Sequence, residues 1–115
     1  MGAPLSSRSD LLPGTLDLLI LKTLTLGVLH GYGVALQIQS LSSDALRIEE
    51  GSLYPALQRL QARGLVTAEW KKSATGRQAR YYRLTTAGRR QLKTEEASFR
   101  DSVAAITRVL RGAES

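Results

Sequence analysis

The side chains that do covalent or metal chemistry are nearly missing from this chain. It has no cysteine and a single histidine, His30. Thiolate nucleophiles, disulfides and thiolate metal sites are therefore excluded together, and the lack of thiols suits a reducing cytoplasm. The carboxylates are scattered without the pairing of a general acid and base, so no nucleophile–base set assembles and no catalytic residue is assigned. Gly31-x-Gly33 lacks the spacing and the Lys/Ser partners of a phosphate loop, and no cofactor is implied. What remains is hydrogen bonding and charge. Tyr54 offers a ring and a hydroxyl, Gln58 an amide that reads a base edge, and Arg59 a fork suited to guanine or phosphate. Lys71, Lys72, Arg77 and Arg80 form a cationic cluster close behind them, suited to salt-sensitive contact with phosphates.

The charge map gives that cluster its meaning. The net charge is +6 over 115 residues. Positions 1–64 are balanced, as are positions 91–115, whereas positions 65–90 carry Lys71, Lys72, Arg77, Arg80, Arg83, Arg89 and Arg90 against Glu69 alone. A local excess of this size is the footprint of a polyanion such as nucleic acid or an anionic membrane surface. The membrane reading fits poorly, because the cations lie beside no apolar helical face. RNA lacks support too, since no strand carries a pair of stacking aromatics in an RNP-like motif. The N-terminus has no apolar secretion signal, and the run Leu16–Leu29 is interrupted by Asp17, Lys22 and Gly27 and is too short to span a bilayer. A cytoplasmic protein is expected.

The elements that must position these residues are legible from periodicity. Pro13 and Gly14 open a first helix closed by Gly27. Leu16, Leu18, Leu19, Ile20, Leu21 and Leu24 make it apolar nearly all round, so it needs cover on two sides, the second from a further helix or a second subunit. His30-Gly31-Tyr32-Gly33 turns into a second helix, Gly31 to Leu41, with Ala35, Ile38 and Leu41 as its inner stripe. Leu46-Arg47-Ile48 reads as a very short strand. A third helix starts at Gly51 or Ser52 and runs to Arg63, with Gly64 in the position that ends helices. Leu53, Ala56, Leu57 and Leu60 form its buried face. Ser52, Tyr54, Pro55, Gln58, Arg59 and Ala62 point outward at about 100° per residue and include no carboxylate. Leu65 to Trp70 and Arg80 to Leu84 flank a polar, Gly-bearing loop as a β-hairpin, with Trp70, Tyr82 and Leu84 expected to pack its base. Thr85 caps a last helix reaching about Leu110. Leu92, Phe99, Val103, Ile106 and Leu110 follow coiled-coil-like spacing. Such a helix outreaches any core the preceding residues can build, so its apolar stripe needs a copy of itself.

Helix, helix, helix, hairpin is the order of a winged helix-turn-helix, a mainly α (α+β) fold with a two-stranded wing and here a long C-terminal dimerisation helix. In that architecture the third helix enters the major groove and the wing lies along the DNA backbone or the minor groove. His30, Glu49, Glu50 and Gly76 read as turn, helix-terminus and loop-geometry residues.

Specific residues carry a further resemblance. Gly51-Ser52-Leu53-Tyr54-Pro55-Ala56-Leu57-Gln58-Arg59-Leu60 resembles the recognition-helix signature of the PadR family. Gly64-Leu65-Val66, Trp70, Gly76-Arg77, Tyr81-Tyr82 and Leu84-Thr85-x-x-Gly88 follow in that family's order. Gly14-Thr15-Leu16-Asp17 and His30-Gly31-Tyr32-Gly33 are similar to it as well. The likeness covers Leu12 to Leu92, and the single terminal helix resembles the family's smaller branch.

The resemblance implies a homodimeric bacterial repressor on a pseudo-palindromic double-stranded operator, its recognition helices about one DNA turn (~34–36 Å) apart. It also implies a small-molecule effector: some relatives hold planar aromatic compounds between subunits, stacked on a tryptophan of the terminal helix. Here that helix has only Phe99, and the one tryptophan, Trp70, lies in the wing. The DNA contacts expected are Ser52, Tyr54, Pro55, Gln58 and Arg59 from the recognition helix, and Lys71, Lys72, Arg77 and Arg80 from the wing. Leu18, Leu21, Leu92, Phe99, Val103, Ile106 and Leu110 are expected at the dimer interface. Positions 1–10 read as a flexible N-terminus, 11–85 as the DNA-binding domain, 86–111 as the dimerisation helix and 112–115 as a frayed tail. The rival reading is a winged helix used for protein–protein contact, against which the concentrated basic wing argues.

Overall fold

The computed structural model describes residues 5–6 and 14–114. In chain order the elements are β1 (Leu5–Ser6), α1 (Thr15–Thr23), β2 (Leu29–His30), α2 (Gly31–Leu41), β3 (Leu46–Arg47), α3 (Glu50–Ala62), β4 (Val66–Lys72), β5 (Gln78–Leu84) and α4 (Thr86–Gly112). The expected three helices, hairpin and long last helix are all present. Pro13 lies outside the described residues. Within the N-terminal stretch read as flexible, Leu5–Ser6 pairs in parallel with Leu46–Arg47.

α1 starts at Gly14, whose φ of +84° suits a residue without a side chain. It tightens into a 3₁₀ turn at Leu24–Leu26 and stops at Gly27, φ +141°. The second side of this apolar helix is covered within the chain. α1 packs on α2 and α3 on one side and on α4 on the other. Leu21 and Leu92, expected at a subunit interface, lie instead in the core of the protomer together with Ile20, Leu24, Leu53, Leu57 and Leu60. Their side chains have almost no surface left for a partner, because α4 folds its first turns back onto α1. Leu18 is also in that cluster but lies at its edge, against Phe99.

His30 caps α2: its Nδ1 accepts the backbone N–H of Gly33 at 3.0 Å. Val34, Ala35 and Ile38 form the inner stripe of the helix. Leu41 does not belong to it and is 66% exposed, because the core ends one turn before the helix does. The turn after α2 holds Ser43 and Asp44 at positive φ. Asp44 accepts hydrogen bonds from Arg47 and Gln39, which hold its carboxyl below the usual carboxylate range.

α3 buries Leu53, Ala56, Leu57 and Leu60 as the spacing predicts. It begins slightly earlier than expected, so Glu50 lies in its first turn. Gly64, φ +73°, ends it and feeds β4. The hairpin pairs Val66 with Leu84, Ala68 with Tyr82 and Trp70 with Arg80, and β2 adds a third antiparallel strand through Leu29–Tyr82.

The start of α4 is tied to the base of the wing. Thr85 Oγ1 accepts the Gly88 N–H at 2.9 Å and donates to the Gly64 carbonyl at 2.8 Å, while the Thr85 N–H donates to the Leu65 carbonyl at 3.1 Å. Gly88 then passes so close that a Cβ there would lie 2.1 Å from the Leu65 oxygen. Further along, Glu96 accepts from Lys22 of α1 at 3.1 Å and from Arg100 at 2.7 Å. Beyond this point α4 leaves the domain, giving the chain a long dimension of 59 Å. Phe99, Val103, Ile106 and Leu110 are exposed along it. Among the described residues no helix is long and apolar enough to cross a membrane.

Two outcomes follow from these contacts. Gly88→Ala must push α4 off the wing base, and a loss of roughly 1–3 kcal/mol or more is expected in urea unfolding, the range for overpacking. The second concerns Glu96, whose bonds to Arg100 and Lys22 hold its carboxyl below the ordinary range. A carboxylate whose folded-state value lies below the unfolded one contributes stability that is fully present above the ordinary carboxylate range and is lost as pH falls through the lower, folded-state value. Glu96→Gln is therefore expected to melt below the parent at pH 7, with the gap narrowing as pH falls below the ordinary carboxylate range and Glu96 of the parent protonates.

Candidate nucleic-acid interface

The outward face of α3 and the inner face of the wing converge. Between them lies a cleft of about 590 Å³ lined by His30, Gly31, Tyr32, Tyr54, Trp70, Arg77 and Arg80, among others. α3 supplies Tyr54; its neighbours Pro55, Gln58 and Arg59 are exposed on the same helix face and Ser52 is half-buried. Pro55 falls in the second turn of the helix without breaking it.

Tyr54 is more constrained than an outward position suggests. Its ring lies on Gly31, where an added Cβ would come within 2.7 Å of the ring. That contact buries part of the ring and raises the hydroxyl pKa, with Glu50 and Tyr82 adding to the effect. Glu50 also means that the outward side of the helix is not free of carboxylates at its very start. Gly31 is thus a packing requirement for Tyr54, which the sequence signals only as a Gly-rich turn.

Arg59 reaches back to α1, where its Nη2 donates to Asp17 Oδ1 at 2.9 Å. Asp17 is largely covered while the arginine stays more than half exposed. The pair sets the direction of the guanidinium and lowers its effective charge toward a polyanion.

The wing cations divide into two groups. Lys71 lies 3.9 Å from Glu69 and 5.8 Å from the centre of the Tyr81 ring. Arg80 is held inward: its Nη2 donates to Gln61 Oε1 of α3 at 3.2 Å, and its guanidinium lies 5.9 Å from the Trp70 ring centre. Lys72 and Arg77, like Arg83, Arg89 and Arg90, make no ion pair among the described residues. The tip is a tight turn in which Gly76 takes φ +85° and the Ser73 N–H donates to the Arg77 carbonyl at 2.7 Å. The Arg77 side chain is thereby presented from a closed turn, without an ion pair among the described residues.

Trp70 departs from expectation. Tyr82 and Leu84 pack the base of the wing, but Trp70 is 63% exposed. The inner face of the hairpin runs beyond the three-helix core, and position 70 lies on the overhang. Trp70 and Tyr32 were not singled out as interface residues by sequence reasoning. The available signal was register: an aromatic paired with Arg80, two residues from the end of its strand, lies past the positions that the core covers.

On the opposite side of the domain, Leu18, Leu19, Lys22, Glu96, Phe99 and Arg100 line a groove of about 220 Å³ between α1 and α4.

The family profile described as the Transcriptional regulator PadR-like family matches residues 20–94. An uncharacterised protein of Lysinibacillus sphaericus is 31% identical over 85 residues, covering 74% of this chain and 78% of that one. The transcriptional regulator Rv3488 of Mycobacterium tuberculosis is 40% identical over 63 residues, covering 55% of this chain and 58% of that protein. Among solved structures, a PadR family transcriptional regulator from Eggerthella lenta superposes with a TM-score of 0.71 at 32% identity, over 84% of this chain and 82% of that one. A transcriptional regulator from Clostridium thermocellum superposes with a TM-score of 0.78 at 26% identity, over 87% and 97%. With the helix–cleft–wing geometry and these likenesses together, the chain belongs to the PadR-like family of transcriptional regulators, DNA-binding proteins that are not enzymes.

Proposed function

We propose that this chain is a repressor that binds a pseudo-palindromic operator as a homodimer. The observation that carries the reading is the juxtaposition of Tyr54 with the unpaired Arg77 across one cleft, Gln58 and Lys72 extending the two sides. A duplex seated there meets base-reading groups from α3 and phosphate-binding groups from the wing at once. Ser52, Tyr54, Pro55, Gln58 and Arg59 are assigned to the major groove, and Lys71, Lys72 and Arg77 to the backbone. Arg80, tied to Gln61, acts on the same surface from behind. The sign of regulation rests on the family resemblance.

The second copy is called for by α4. Phe99, Val103, Ile106 and Leu110 recur at coiled-coil-like spacing on a charged helix and are exposed in the protomer. A stripe of that kind in water is most simply buried against itself around a two-fold axis. Positions 86–111 are assigned to dimerisation and 11–85 to DNA binding, although Gly88 and Leu92 tie the first two turns of α4 into the core of the DNA-binding unit. An effector would enter the α1–α4 groove. At about 220 Å³ the groove of one protomer is small for a drug-sized molecule, so a partner subunit would have to complete it.

The testing experiment is fluorescence anisotropy with labelled DNA from upstream of the gene, beside a scrambled duplex, over a salt series. Specific binding at least ~10³-fold tighter than scrambled, falling steeply with salt, supports the reading. Equal and weak binding to both moves the protein-contact module to first place. Tyr54→Ala is expected to weaken specific binding by roughly 1–3 kcal/mol and non-specific binding much less. Arg77→Ala is expected to weaken both and to lower the salt slope by about one unit. Phe99→Asp is expected to sediment as a monomer at concentrations where the parent is a dimer; a variant that remains dimeric overturns the α4 interface.

A further inference from the structure

Trp70 is the single tryptophan of the chain and stands 63% exposed on the wing. A side chain of this size is seldom left in water without a use. It is not loose. Arg80 is directly opposite Trp70 in the hairpin register, its guanidinium over the indole at 5.9 Å. The same guanidinium donates to Gln61 of α3, and its Nε is buried without a partner among the described residues. A buried guanidinium nitrogen with nothing to bond to is a cost that packing for its own sake does not explain. Arg80 accepts that cost while fastening the wing to the recognition helix and bracing the indole.

The surroundings say what the indole meets. Trp70 lines the cleft between α3 and the wing, with Tyr54 and Arg77 on its walls. Lys72 follows on the same strand face, about 6.6 Å further along at 3.3 Å per residue. An aromatic ring with two unpaired cations on its tip side, Lys72 on the same strand face and Arg77 in the turn beyond, matches one strand of a duplex, in which an apolar deoxyribose face adjoins each phosphate. We propose that Trp70 packs on the deoxyribose of the DNA strand running through this cleft. Arg80, anchored on Gln61, is the positioning residue that holds it there. The proposal rests on the DNA-binding reading above and adds to the cationic wing an uncharged contact that carries no sequence information.

An apolar contact displaces no counterions, so its signature differs from that of a cation. Trp70→Ala is expected to weaken operator and scrambled duplex alike, by roughly five- to tenfold, the low end for aromatic stacking on nucleic acid. The salt slope stays that of the parent, and Trp70→Phe recovers most of the loss. In the parent, acrylamide quenching of the single tryptophan is expected to fall when unlabelled duplex saturates the protein. Gln61→Ala, which releases Arg80 without touching the cleft lining, is expected to restore much of that quenching in the complex while secondary structure by circular dichroism is unchanged.

Anisotropy of labelled DNA separates the two layers of the argument. A parent that binds duplex while Trp70 stays as quenchable as in the free protein overturns the proposal and leaves the DNA-binding reading standing. So does a Trp70→Ala variant that binds like the parent, or one whose salt slope falls. Unchanged protection in Gln61→Ala overturns the role given to Arg80. A parent that binds no duplex at all overturns the underlying reading, and this proposal with it.

Discussion

Much of this molecule hangs on the contact between Gly88 and the Leu65 carbonyl. At that point the first turn of α4, the entry into β4 and the exit from β5 meet within one small hydrogen-bonded knot centred on Thr85. Only a residue without a Cβ allows the helix to sit so low on the backbone. The knot fixes two directions together. One is the path of the wing, since both its strands begin or end there. The other is the path of α4, which carries the exposed apolar stripe. A change in the seat of α4 is thereby a change in the wing.

A second joint connects the wing to the recognition helix through Arg80 and Gln61, and a third connects that helix to α1 through Arg59 and Asp17. Neither is a large source of stability, because exposed or half-exposed pairs contribute little. Their effect is orientation. Each takes a long cationic side chain that would otherwise sample many rotamers and holds it in one. The cost is charge: Arg59 is already partly neutralised by Asp17. Lys72 and Arg77, which have no partners among the described residues, are left to supply the net field at the mouth of the cleft. The division into oriented and free cations matches the two tasks of such a surface, register and affinity.

Most of the local architecture was legible before any coordinates. The second helix runs from Gly31 to Leu41 as read, Gly64 ends the third where a C′ glycine should, and Thr85 caps the fourth. Leu53, Ala56, Leu57 and Leu60 face inward because helical periodicity is a one-dimensional property of the chain, printed in the residue order. The winged-helix order and the PadR likeness follow from the same kind of information. Even the excess of positive charge could be placed on the hairpin, since a hairpin keeps sequence neighbours together in space.

What the tertiary structure alone decided is where the core stops and who pairs with whom. Periodicity names the inward face of an element but not how far along it neighbours extend. That is why Leu41 and Trp70, both on inward faces by spacing, stand exposed past the edge of the core. Leu21 and Leu92, which could equally have faced a partner, fill the inside of the protomer because α4 folds back on α1. Asp17 and Arg59 are far apart in the chain, as are Gly31 and Tyr54, and Gly88 and Leu65. No local pattern records such meetings, for they depend on the angles at which packed helices cross, and those angles are set by the whole core at once.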